Sequence, residues 1–157
     1  MVIKNRKFYK LLILEIIAVI GLLGYFFIDS ADVYKLFKGD TKFSTQSPSC
    51  NLHVSSCGVD MLEFGSFNFD IEPKNIPLMK TLTFSVKTTK ELDTNELSLH
   101  VYATNMNMGY HRFKLKKISK NLYSAKGILP TCTVGGMIWN AEVVFKNRGA
   151  LFTFKTR

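Results

Sequence analysis

Two thioethers and an imidazole fall within six consecutive positions, Met106-Asn107-Met108-Gly109-Tyr110-His111. Further along, the thiol of Cys132 and the thioether of Met137 flank the Gly135-Gly136 pair. Thioether, thiolate and imidazole are polarisable donors of the kind that suits copper, Cu(I) above all. Met106, Met108, His111, Cys132 and Met137 are therefore the candidate metal ligands, provided the fold brings both loops to one end. The competing reading is plain packing, because methionine is a common gap-filler in cores and an isolated inward histidine is most simply a hydrogen-bonded one.

A second constellation is Cys50, His53 and Cys57, with six residues between the thiols. That spacing is wider than the two to four residues of typical zinc knuckles. In an oxidising compartment a disulfide closing a short loop is the simpler use of the pair, and capture of copper or zinc with His53 is the alternative. Three cysteines are an odd count, so one thiol is left over or all three serve another purpose.

Catalytic patterns are missing. The chain has no G-x-S-x-G elbow, phosphate loop, metalloprotease helix or C-x-x-C pair, and its Asp and Glu are scattered. The expectation is a binding protein and not an enzyme.

The elements that would position these groups begin with Phe8 to Ile28, an apolar run of 21 residues interrupted by Lys10 and Glu15. At 1.5 Å per residue such a run covers the roughly 30 Å hydrocarbon layer of a bilayer. Lys10 can snorkel from the first turn, whereas Glu15 lies deeper and needs protonation, the interface or a partner helix. A cleaved signal peptide is the competitor, but the run exceeds the usual 7 to 15 residues and ends in the aromatic Tyr25-Phe26-Phe27. With Lys4, Arg6, Lys7 and Lys10 on its N-terminal side, the positive-inside rule puts the N-terminus in the cytoplasm and the rest outside. The expected order is a cytoplasmic tail over 1–7, a transmembrane anchor over 8–28, a stalk over 29–49, and an exported domain over 50–157.

That domain reads as strands. Phe67, Phe69 and Ile71; Leu82, Phe84 and Val86; Leu97, Leu99, Val101 and Ala103; His111, Phe113 and Leu115; and Trp139, Ala141, Val143 and Phe145 each alternate with polar neighbours, the period-two signature of half-buried strands. Short strands at this spacing, punctuated by turn residues, predict an all-β, immunoglobulin-like antiparallel sandwich preceded by one transmembrane helix. Parity turns His111 inward and puts His100 outward with Ser98 and Tyr102. Residues 29–157 carry 17 basic against 11 acidic side chains, a net of +6. Arg112, Lys114, Lys116, Lys117 and Lys120 read as a solvated strand face or a weak attraction to an anionic lipid surface or acidic partner. Nucleic acid is not an expected partner, since the segment follows an export-type N-terminus.

Three short segments, Met106 to His111, Tyr123-Ser-Ala-Lys-Gly127-Ile-Leu-Pro130 and Gly136-Met-Ile-Trp139-Asn-Ala-Glu-Val143, resemble those of the FixH/YtkA-like family of membrane-anchored extracytoplasmic proteins. The resemblance implies an immunoglobulin-like fold and a place in the bacterial inner membrane, with the domain in the periplasm. It further implies an accessory role in copper handling, as a metallochaperone, or in assembly of a haem-copper respiratory oxidase. The chain departs from that pattern in adding Cys132 and the Cys50–Cys57 segment. The alternative is a metal-free interaction module that docks a membrane complex.

Overall fold

The computed structural model describes residues 6–27, 41–131 and 136–156, with the side chains of 6, 7 and 25–27 left undescribed. Cys132, Gly135 and the first part of the expected stalk, residues 29–40, lie outside the described residues. The chain divides into two compact units, Met1–Phe37 and Lys38–Arg157.

The first unit contains α1, Arg6–Phe27. Its leucines, isoleucines and valines are exposed on every face, from 41% at Leu12 to 67% at Leu14. Among the described residues no helix is long and apolar enough to cross a membrane. Lys10 and Glu15 are the interruptions, and the described side chains run only from Phe8 to Gly24.

The second unit is all β, as the alternation requires. Its strands are β1 (Lys42–Thr45), β2 (Cys57–Asp60), β3 (Ser66–Glu72), β4 (Thr81–Thr88), β5 (Glu96–Ala103), β6 (Tyr110–Ser119), β7 (Leu122–Ile128), β8 (Met137–Phe145) and β9 (Arg148–Thr156). They form one hydrogen-bonded sheet in the order β1-β9-β8-β5-β6-β7-β4-β3-β2. The expected pair of separate sandwich sheets is thus replaced by one nearly closed, barrel-like sheet. The physical reason is the β6–β7 hairpin, which pairs through Lys116–Ser124, Lys117–Tyr123 and Ser119–Leu122 and so stitches together the two layers of a sandwich. Opposite it, β2 comes against β1 and β9.

Strand β1 lies within the stretch expected to be a stalk, and pairs in parallel with β9 from Lys42–Arg148 to Thr45–Leu151. Phe43 holds it there. A Cβ on Gly149 would fall 2.2 Å from the Phe43 ring, so only glycine admits that close approach. The same device recurs where Phe113 lies over Gly127, 2.3 Å from an added Cβ.

The inward residues of the alternation are the core, with Phe67, Phe69, Ile71, Leu82, Phe84, Val86, Leu99, Val101, Trp139, Ala141, Val143 and Phe152 all inaccessible to solvent. Phe69 meets Phe152 from the far side of the barrel at 5.0 Å between ring centroids, and Phe84 meets Phe113 at 5.1 Å. Such aromatic pairs add roughly 0.5–1.5 kcal/mol beyond the area they bury.

Cys50 and Cys57 form a disulfide, with their Cα atoms 5.8 Å apart, at the entry to β2. So joined, the two cysteines form a covalent staple and offer no thiolate to a metal. Closing so short a loop restricts the unfolded chain by about 2.5 kcal/mol in the chain-entropy account. Cys50→Ser with Cys57→Ser should lower the unfolding free energy by about that amount in chemical denaturation, and a reductant should do the same to the wild type but not to the variant.

Candidate functional site

The methionine loop runs from Thr104 to Gly109, between the end of β5 and the start of β6. Two asparagines shape it. The Asn107 side-chain oxygen accepts the Gly109 N–H at 3.2 Å, a local turn completed by Gly109 at φ +75°. Asn105 donates to the Gly136 carbonyl at 2.9 Å and accepts the Ile138 N–H at 3.0 Å. Its amide mimics a peptide group pairing with the leading edge of β8, and Thr104 N–H donates to the Ile138 carbonyl at 2.8 Å. The loop is therefore docked against the residues on either side of Met137.

This brings Met106, Met108, His111 and the start of β8 to one end of the barrel. Met106 and Met108 are partly buried and packed on the core, and Met137 is 1% exposed. The His111 Nε2 lies 3.1 Å from the Met108 carbonyl oxygen. A carbonyl only accepts, so Nε2 is the donor there, and in the neutral ring Nδ1 is the nitrogen with a lone pair. The ring lies 6.2 Å from that of Trp139. His53 lines a cavity together with Met137, and Cys132 is outside the described residues. Among the described residues no three of His, Cys, Asp and Glu are grouped closely enough to hold a metal ion, a statement that does not extend to thioethers.

The outer face of β5 and β8 holds groups that strand parity assigned to solvent. His100 is 8% exposed and Glu142 only 1%, and the two are cross-strand partners. Tyr102 donates its hydroxyl to Glu142 at 2.8 Å. Asn140 reaches the same hydroxyl at 3.5 Å, and Thr153 donates to Asn140 at 3.0 Å. Tyr102 and Tyr110 stack at 5.7 Å, with His100 beside Tyr110 at 5.3 Å. Burial, with the Glu142 carboxylate adding to it and Asn140 opposing it, pushes the Tyr102 phenol up to about 12. The signal for this network was Glu142 itself, an acid placed between Ala141 and Val143 in an otherwise uncharged strand.

Beside the methionine loop lies a cavity of about 850 Å³, within the size range of small-molecule sites. Ile76, Pro77, Leu78, Met137 and Ile138 give it apolar walls, and Asn51, His53, Asn75, Lys155 and Thr156 supply polar groups. Ile76 is buried and holds φ +41°, a region that β-branched residues rarely adopt. Val54 and Met79, at neighbouring positions in these loops, are exposed at 74% and 62%. The arrangement can receive an apolar group and orient it by a few hydrogen bonds. Among the described residues that line it there is no pair of carboxylates and no nucleophile beside a base.

No family model, curated protein or solved structure matches the chain, so the resemblance to the FixH/YtkA-like group rests on its three segments alone.

Tyr102→Phe removes the hydroxyl that donates to a buried carboxylate, a loss of about 1–3 kcal/mol. Denaturation of the variant should show that loss at neutral pH. Spectroscopic titration should show one tyrosine ionisation near 12 missing from the variant, because burial pushes the wild-type phenol up to about 12.

Proposed function

We propose that the chain is a membrane-anchored, extracytoplasmic binding protein whose working surface is the loop end of the barrel, acting as an accessory to a membrane complex and not as an enzyme. The observation that carries this reading is α1. A helix of 22 residues with bulky aliphatic side chains exposed all round is unstable in water unless something apolar covers it. A lipid bilayer does so. The described side chains of α1, Phe8 to Gly24, do not by themselves make a span long and apolar enough to cross it, with Lys10 near enough to the start of α1 to snorkel and Glu15 as the one deep charge.

The Cys50–Cys57 disulfide supports the same compartment, since such bonds persist in oxidising surroundings. The basic N-terminal flank supports an N-terminus in the cytoplasm and a domain in the periplasm. A respiratory oxidase as the partner complex rests on the family resemblance.

Copper binding is the second reading, and Asn105 favours it. That side chain holds the Met106 and Met108 loop against the flanks of Met137, and the Met108 carbonyl leaves His111 Nδ1 as the nitrogen with the lone pair. The burial of Met137 and the packing of both loop methionines favour the metal-free module.

Two measurements separate these readings. The full chain should stay with membranes through alkaline carbonate extraction, whereas a variant lacking residues 6–27 should be released. Purified full chain should take up one Cu(I) in competition with a chelator if the copper reading holds, and Met106→Leu with Met108→Leu should weaken that uptake at least tenfold. No uptake by the wild type would leave the metal-free module.

A further inference from the structure

His53 is surrounded by hydrogen-bond acceptors on both sides of its ring. Its Nδ1 lies 2.9 Å from the carbonyl oxygen of Lys74, in the turn after β3, and its Nε2 lies 2.6 Å from the carbonyl oxygen of Lys155 on β9. Carbonyl oxygens have no proton to give, and a neutral imidazole has only one N–H. Either neutral tautomer therefore turns a lone pair onto an oxygen at hydrogen-bond distance, whereas the imidazolium satisfies both.

We propose that His53 is a proton-dependent staple. As the cation, it ties β9 to the turn after β3, across the seam where the two edges of the sheet meet, and closes one wall of the cavity beside Met137. As the neutral ring, it must give up one bond and the wall loosens. The control of ligand entry that this provides rests on the reading of that cavity as a binding site; the staple itself does not.

Lys155 is the charged side chain among the cavity residues. Lys74 contributes its carbonyl, while its ammonium pairs with Asp70 and with Glu72 at 3.4 Å. No carboxylate lines the cavity among the described residues, so the two carbonyl oxygens are the acceptors that the ring N–H groups meet there. The loop bearing His53 is held from behind by the Cys50–Cys57 disulfide and by Gln46, whose amide donates to Thr153 at 3.0 Å. A change at His53 is thus confined to one edge of the loop.

The test uses full chain in detergent with ¹⁵N-labelled histidine. At about pH 6 both His53 ring nitrogens should show imidazolium shifts; a neutral His53 in the folded chain at that pH overturns the proposal. The melting temperature of the wild type should fall by about 2–8 °C between acid and mildly alkaline pH. His53→Gln, with one side-chain donor group in place of two opposed ones, should remove His53's share of that slope and melt like the wild type at high pH; an unchanged slope also overturns it. Uptake of anilinonaphthalene sulfonate should rise several-fold in the wild type as pH increases. Uptake that stays flat while the melts respond would count against the cavity as a binding site and leave the staple standing.

Discussion

A hydrogen-bonded sheet ends in two edges whose unpaired N–H and C=O groups must find partners, water or cover. In this domain the edges are β1 and β2, four residues each, and the curvature of nine strands brings them together. Neither is long enough to close the barrel by a ladder of its own. The segment between them does much of that work. Gln46 bonds to the carbonyls of Cys50 and Thr153, the disulfide fixes the loop against β2, and His53 reaches from the turn after β3 to β9. Side chains substitute here for a missing strand pair, which is why a covalent bond and a histidine are concentrated at this seam.

Closure in turn fixes the core. Once β9 and β3 face each other, Phe69 and Phe152 meet across the interior, and β1 can lie on β9 only because Gly149 leaves room for Phe43. On the other side the β6–β7 hairpin is paired near its turn, and further along Phe113 covers Gly127. The interior is thus sealed at each flank by an aromatic ring laid on a glycine, a contact in which any added carbon is felt because native packing leaves no slack.

Much of this was legible in the residues. The alternation at Phe67–Ile71, Leu82–Val86, Leu97–Val101 and Trp139–Phe145 reports burial directly, since side chains in a strand point to opposite faces in turn. What alternation cannot report is pairing. Four residues such as Lys42–Thr45 are too few to show a period, and their place beside β9 depends on a partner over a hundred positions away. The disulfide was legible from short spacing and an export-type N-terminus. His100 and Glu142 were not, because parity names a face and says nothing of what else lies over it. A hydroxyl and two stacked rings shield them.

The methionine loop shows where composition stops being evidence. Met106-Asn-Met-Gly reads as a string of soft donors, but the residues that decide its shape are Asn105 and Asn107, which supply the hydrogen bonds that a strand would otherwise have supplied. A thioether is equally at home against a core or on a metal, because the same polarisability serves dispersion and coordination. The imidazole is different. The Met108 carbonyl takes a hydrogen bond from Nε2 of His111, which in the neutral ring leaves Nδ1 as the nitrogen that could ligate, with the other nitrogen's hydrogen bond setting the ring. The two histidines at this end differ in how the same kind of backbone acceptor holds them: His111 meets one carbonyl, which leaves its other ring nitrogen for a ligand, and His53 meets two, one at each ring nitrogen.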